Sequence, residues 1–163
     1  MDKKNVEIRM AREEDIPAIV DMLKRLKKLN QEFDTHFSVS EDIEKNATAH
    51  LRENLKDTEG RMFMVATIEG KVSAFMEILL RKRIYYSPPV EARIIEFYVM
   101  PEHRMLGLGK KMMNELVKEL KSREITLISS EFPSQNMIAK NFYEKAGFRQ
   151  LISIYGKWID RKK

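Results

Sequence analysis

Apolar positions along the chain change their period several times, and each change marks an element. Val6, Ile8 and Met10 alternate with polar neighbours, the two-residue period of a short strand over Val6–Met10. From Ile16 the spacing lengthens. Ile16, Ile19, Val20, Leu23, Leu26 and Leu29 form one helical stripe, with Asp15 placed to cap it and Pro17 tolerated in its first turn. Lys24, Arg25, Lys27 and Lys28 fall mostly off the stripe and near the C-terminal end, where the helix dipole favours cations. Asn30–Phe37 reads as a polar loop. Ser38 and Glu41 have capping-box spacing for a second helix reaching about Leu55, whose thinner apolar face (Ile43, Ala47, Leu51, Leu55) suits a cover rather than a core element. After a turn at Asp57–Gly60, Met62–Ile68 and Val72–Leu80 read as strands joined by the two-residue hairpin turn Glu69–Gly70. Arg81–Val90 is a basic loop carrying Tyr85, Tyr86, Pro88 and Pro89.

The stretch Ile94–Leu120 combines both periods. Ile94–Val99 is a strand rich in β-branched and aromatic residues, and Pro101 ends it. Arg104 to Gly109 is a basic, glycine-punctuated turn, after which Leu108, Met112, Met113, Leu116, Val117 and Leu120 recur at helical spacing. Ile125–Ser130 is a further strand. Ser134 is placed to cap a short helix, Asn136–Ala146, which Gly147 stops. Phe148–Ile159 reads as a last strand or a bent pair, and Asp160–Lys163 as a charged tail. The order β-α-α-β-β-β-α-β-α-β, hairpins first and then alternating strands and helices, predicts an α/β (α+β) fold: one mixed sheet with helices on both faces. At 163 residues, the chain reads as a single domain over 1–163.

Composition narrows the classes. Hydrophobic residues make up 43% and charged residues 34%, the balance of a folded water-soluble chain. No apolar run is long enough to span a membrane, and MDKKNVEIRM lacks the apolar centre of a signal peptide, so the expected location is cytoplasmic. With no cysteine, thiolate nucleophiles, thiolate metal sites and disulfides are all excluded. His36, His50 and His103 have no metal-ligand spacing and read as surface residues, so no metal is expected. Ser129 and Ser130 lack a nucleophile-elbow pattern. The net charge of +5 suits an anionic ligand, and although Arg81-Lys82-Arg83 is basic, no nucleic-acid motif accompanies it.

A strand that breaks through a glycine turn into a helix aims free N–H groups at one point, a device for holding phosphate. Gly107-Leu108-Gly109 is not a dinucleotide fingerprint, because residue 112 is Met rather than Gly. It is not a Walker loop either: residue 104 is Arg where the first Gly belongs, and Gly109-Lys110 is followed by Lys111. What remains is Arg104-x-x-Gly107-x-Gly109 at the mouth of a helix, with Asn136-x-x-Ala139-x-x-Phe142-Tyr143-Glu144-Lys145-Ala146-Gly147-Phe148 downstream. Together these resemble the GNAT superfamily of acetyl-CoA-dependent N-acetyltransferases. The first segment resembles that family's pyrophosphate loop, the second its other cofactor motif, and the element order its fold.

The resemblance implies a centrally splayed sheet and acetyl-CoA as cosubstrate. The backbone of Met105, Leu106, Gly107, Leu108, Gly109 and Lys110 would hold the diphosphate, with Arg104 and Lys110 adding charge. Tyr98, Val99 and Met100 would be main-chain partners of the pantetheine arm, an N–H near Val99 would polarise the thioester oxygen, and Asn136 would bond the arm from the far side. Tyr143, at the position of the family's tyrosine, would protonate the leaving sulfur. The acceptor amine must lose a proton, which for a lysine-like amine costs about 4 kcal/mol near neutral pH. Glu96, an acid inside an apolar strand beside the expected thioester, is the candidate base, with Glu91 and Glu77 as rivals and an ion pair with Arg93 or a neighbouring-strand cation as its structural alternative. Glu77 could face Glu96 across the sheet. In this family the acceptor side is built from the first two helices, their loop and the last strands, here Asn30–Phe37, Tyr85–Tyr86 and Tyr155–Trp158. Glu32 and Asp34 could attract an amine, and Phe33 and Phe37 could wall it. The expected partners are acetyl-CoA and an amine, without membrane and without nucleic acid, and a homodimer is compatible with the chain. A non-catalytic acyl-CoA sensor on the same fold is the alternative.

Overall fold

The computed structural model describes residues 5–160. The charged tail expected over 160–163 therefore lies, apart from Asp160, outside the described residues, as do residues 1–4 of the N-terminal stretch.

Among the described residues five strands form one sheet in chain order: β1 (Val6–Met10), β2 (Arg61–Ile68), β3 (Lys71–Lys82), β4 (Val90–Val99) and β5 (Ile128–Ser130). The first four are antiparallel neighbours, and β5 runs parallel to β4. The β2–β3 turn is the expected hairpin, with left-handed φ at Glu69 (50°) and Gly70 (76°). Four helices cover the two faces: α1 (Ile16–Phe33), α2 (Ile43–Asn54), α3 (Leu108–Ser122) and α4 (Met137–Lys145).

Strand alternation divides the core in two. Met62, Met64, Ala66, Met76, Ile78 and Ile94 meet Leu108, Met112, Leu116 and Tyr143 of α3 and α4. On the opposite face Phe63, Val65, Phe75 and Tyr98 meet Ile19, Leu23 and Leu26 of α1 and Leu51 of α2. β2 and β3 are thus buried on both sides, which is why they read as near-continuous apolar runs. Only Leu51 of α2 is fully buried, in keeping with its thin apolar face.

Several local expectations are corrected. α1 continues through Asn30 to Phe33, and Thr35–Phe37 forms a short 3-10 turn, so Asn30–Phe37 is not all loop. Asp15 occupies the cap position of α1 without capping it. Its carboxylate turns back to the Arg9 guanidinium (2.7 and 3.0 Å) and the Arg12 N–H (2.7 Å). Ser38 does not cap α2: its hydroxyl donates to Thr35 O (2.7 Å), and α2 starts after Asp42. α4 is capped by Asn136, whose Oδ1 accepts from the Ala139 N–H (3.0 Å), rather than by Ser134. β4 begins at Val90, because Glu91 and Arg93 satisfy each other there (2.8 Å) and their charges hide a strand. β5 starts only at Ile128. The last strand expected over 148–159 is not formed. Its apolar residues Leu151, Ile154 and Tyr155 stay exposed, and residues 149–157 make no backbone hydrogen bond among the described residues.

No helix among the described residues is long and apolar enough to cross a membrane.

Candidate functional site

The sheet opens between β4 and β5. Only Ala92, Arg93 and Ile94 pair with β5, and β4 runs on for five residues, 95 to 99, with no strand among the described residues on that side. The opening begins at a β-bulge. On the β3 side the register passes from Ile78↔Ile94 to Glu77↔Glu96, leaving Ile95 without a partner. A bulge reverses which residues turn their main chain outward. Above it Met100 N–H donates to Ser73 O (2.9 Å), so the main-chain groups of Met100 and Tyr98 face β3. Those of Phe97 and Val99 therefore face the opening. Of the three main-chain positions expected from the sequence, Val99 is turned to the gap and Tyr98 and Met100 face β3, while Phe97, which is not among them, is turned to the gap.

Beyond the strand, Pro101–Leu106 makes a 3-10 turn and Gly107 enters α3 with a left-handed φ of 69°, a conformation that favours glycine. The first hydrogen bond of α3 runs from the Lys111 N–H to Gly107 O (3.1 Å), so the N–H groups of Leu108, Gly109 and Lys110 lie ahead of it at the positive end of the dipole. Leu108, 1% exposed, anchors this end in the core, while Met105 stands almost fully in solvent and Leu106 is half-exposed. Gly109 is small for a packing reason: a Cβ there would sit 3.2 Å from Cε2 of Phe142 and 3.5 Å from Cζ of Phe97. Arg104 does not point away from the strand. Its Nε donates to Val99 O (3.1 Å), and its guanidinium lies 5.5 Å from the Tyr98 ring centroid.

Tyr143 stands at the vertex. Its ring stacks on Phe132 (centroids 5.4 Å apart, planes 7° apart) and meets the edges of Phe142 and Phe148. The hydroxyl neighbours Ser130, the last paired residue of β5. The Ser130 Oγ makes no hydrogen bond to it among the described residues. Burial dominates and pushes the phenol up to about 12, so the proton stays on oxygen at neutral pH. Asn136 is buried, with its Oδ1 committed to the α4 cap.

The three candidate carboxylates separate. Glu91 lies at the closed end of β4, bound by Ser129 and by Arg93 (2.8 Å). Burial alone would raise it, but these partners outweigh burial and its pKa is lowered. Glu77 faces Glu96 across the strand pair, as expected, but is 3% exposed and held by Arg61 and by His50 Nε2 (2.7 Å). His50 is therefore not a plain surface residue. Its Nε2 lies 2.7 Å from the Glu77 carboxylate, and Asn54 Nδ2 faces its Nδ1 (3.3 Å). Glu96 is the second residue past the last β4–β5 pair, on the α1 face with Tyr98. Its partner is Lys27 of α1 rather than Arg93, which binds Glu91 and Glu131 instead. Burial raises the Glu96 pKa against the opposing pull of Lys27. One turn further along α1, Asn30 is buried with its Oδ1 unpartnered.

Of the expected acceptor regions, two come together. His36 stacks on Trp158 (4.8 Å, 14°), and Asp34 accepts from the His36 main-chain N–H (2.8 Å). Tyr85 and Tyr86 do not join them, since they sit in the β3–β4 turn at the closed end of β4. Arg61 and Phe97 are not among the expected site residues, Lys27 and His50 read in the sequence only as a helix-end cation and a surface residue, and Asn30 only as the start of the acceptor stretch. Only the acid at residue 96 signalled a need for a cation.

Solved structures share this fold. A solved structure of a predicted acetyltransferase with acetyl-CoA from Clostridium acetobutylicum is 22% identical, with a TM-score of 0.72 over 97% of this chain and 96% of its own. An aminoglycoside 6'-N-acetyltransferase from Acinetobacter baumannii is 17% identical, with a TM-score of 0.73 over 96% of this chain and all of its own. In sequence, 61 residues (37% of this chain) are 31% identical to the [ribosomal protein bS18]-alanine N-acetyltransferase of Haemophilus ducreyi and span 42% of that relative's length. The model of the acetyltransferase (GNAT) family matches residues 23–148. The chain belongs to the GNAT acetyltransferase family.

Proposed function

We propose that the protein transfers an acetyl group from acetyl-CoA directly to a primary amine. The observation that carries this reading is the open wedge between β4 and β5, with outward main-chain groups on one lip, a neutral phenol at its vertex and a helix N-terminus beyond it. The residues fit the cosubstrate. The N–H groups of Leu108, Gly109 and Lys110, with the Lys110 and Arg104 charges, form an anion seat for a diphosphate. The outward amides of Phe97 and Val99 are suited to pair with an extended amide-bearing arm and to donate to a polarised carbonyl oxygen. Bound acetyl-CoA supplies the acyl group as an activated thioester. Tyr143 holds a proton for the departing sulfur, and Glu96, its basicity raised by burial, takes one from the approaching amine. The relatives named above act on an alanine of a ribosomal protein and on an aminoglycoside, which supports an amine acceptor and leaves its identity to measurement.

The test is thiol release from acetyl-CoA against a panel of amines, with coenzyme binding followed in parallel by thermal shift. Release with at least one amine, abolished by heat denaturation, is expected. Binding without release for any amine would favour a non-catalytic acyl-CoA sensor, and absence of binding would remove both readings.

A further inference from the structure

We propose that Lys27 is a self-acetylation site, the protein's own amine seated at the mouth of its opening. This inference rests on the acetyl-transfer reading above. Its ammonium contacts Glu96 directly, and Glu96 lies just past the last β4–β5 pair, where the strand is uncovered. From Glu96 to the outward main chain of Phe97 and Val99 is one to three residues, about 3–10 Å along a strand, which a change of lysine rotamer spans. Lys27 belongs to α1, on the face away from α3 and α4 and opposite the helix N-terminus that would hold the diphosphate. An amine there approaches from the side an acceptor would use. Its side chain is 35% exposed, so it is covered enough to be positioned and open enough to move. Arg61, which binds the neighbouring carboxylate of Glu77, carries a guanidinium that is not a comparable nucleophile.

The step balances. Glu96 takes one proton from the Lys27 ammonium and passes it to solvent. The Nζ–C bond forms as the C–S bond breaks. The second nitrogen proton is made up to the sulfur through Tyr143. Ammonium and thioester thus yield amide, thiol and one released proton. The acetamide keeps one N–H for Glu96 but no charge, so the carboxylate loses its ion pair.

The experiment is peptide mapping by mass spectrometry after incubating the full chain with acetyl-CoA and no amine, alongside a trace-labelling series with acetic anhydride and no coenzyme. Lys27 is expected to acquire acetyl from acetyl-CoA at least about tenfold faster than any other lysine, as proximity requires. With acetic anhydride, which needs no binding site, it is expected to rank among the slowest. Glu96→Gln should remove the preference while leaving coenzyme binding, read by thermal shift, in place. Acetyl spread over surface lysines without preference would overturn the proposal, as would Lys27 leading in both reagents. If thiol release with added amines persists while Lys27 stays unmodified, this inference alone fails. If neither release nor coenzyme binding occurs, the acetyl-transfer reading fails with it.

Discussion

Burial acts on Tyr143 and Glu96 in the same sense, and it suits them to the opposite tasks proposed for them. Burial disfavours the charged form of each, which keeps the phenol protonated and makes the carboxylate a better base. Replacing Tyr143 by Phe keeps the stack on Phe132 and removes only the hydroxyl. It should lower kcat on the order of 10²-fold with little change in Tm, read by steady-state thiol release and thermal melting. Glu96 must be ionised to accept a proton, so activity should fall as pH drops through its raised pKa. Glu96→Gln should flatten that acid limb as well as lowering the rate, and a limb that survives unchanged would assign the base elsewhere. Asp15 shows the opposite balance. Burial would raise it, yet the Arg9 hydrogen bond and the Arg12 N–H win and its folded pKa lies below the ordinary carboxylate value. Its contribution to stability is thus present in full above that ordinary value and is lost as pH falls through the lowered one. Asp15→Asn should lower the urea midpoint at neutral pH and differ far less from the parent in strong acid. These pairings explain what residue-level reading misses: Lys27 and Glu96 are 69 positions apart, and His50 and Glu77 are 27 apart. No local pattern in the sequence announces either contact.

At the scale of elements, legibility follows the range of the forces. α1 and α3 bury their stripes on neighbouring strands, and the periods that betray them are local. The Gly107-x-Gly109 turn is equally local, but its two glycines turn out to have different reasons. Gly107 needs its left-handed backbone and has nothing within 4 Å of an added Cβ, whereas Gly109 needs space beside Phe142. Gly107→Ala should therefore cost about 1–2 kcal/mol of stability by strain alone, measured by urea unfolding. Gly109→Ala should instead push on the Phe142 ring, which meets Tyr143 edge-on, and reduce kcat along with coenzyme affinity. The caps were misread because Asp15 found a stronger partner in Arg9, and Ser38 a nearer one in Thr35 O. The strand expected over 148–159 has β-prone residues but makes no backbone hydrogen bonds with the outer edge of β5, and propensity without a ladder does not make a strand.

Across the whole molecule, the β-bulge at Ile95 links sheet to site. It ends the fit between β4 and β5 and turns alternate amides outward, so one extra residue both opens the wedge and equips its wall. The sequence carries no sign of it: Ile94-Ile95-Glu96 reads as uninterrupted strand. The geometry makes a residue-resolved prediction. In the free protein the Phe97 and Val99 amides have no strand partner and should exchange with solvent quickly, while Tyr98 and Met100, bonded toward β3, should exchange slowly. With acetyl-CoA at about 100 times Kd, the protein should gain about 2.7 kcal/mol of stability. The Phe97 and Val99 amides should then become protected well beyond that global gain, because they acquire acceptors. Tyr98 and Met100, already paired, should change only with the global term. Amide exchange followed by NMR distinguishes these patterns. Protection gained at Tyr98 and Met100 instead would mean that the bulge does not set the phase of the strand and that the coenzyme arm lies along some other wall.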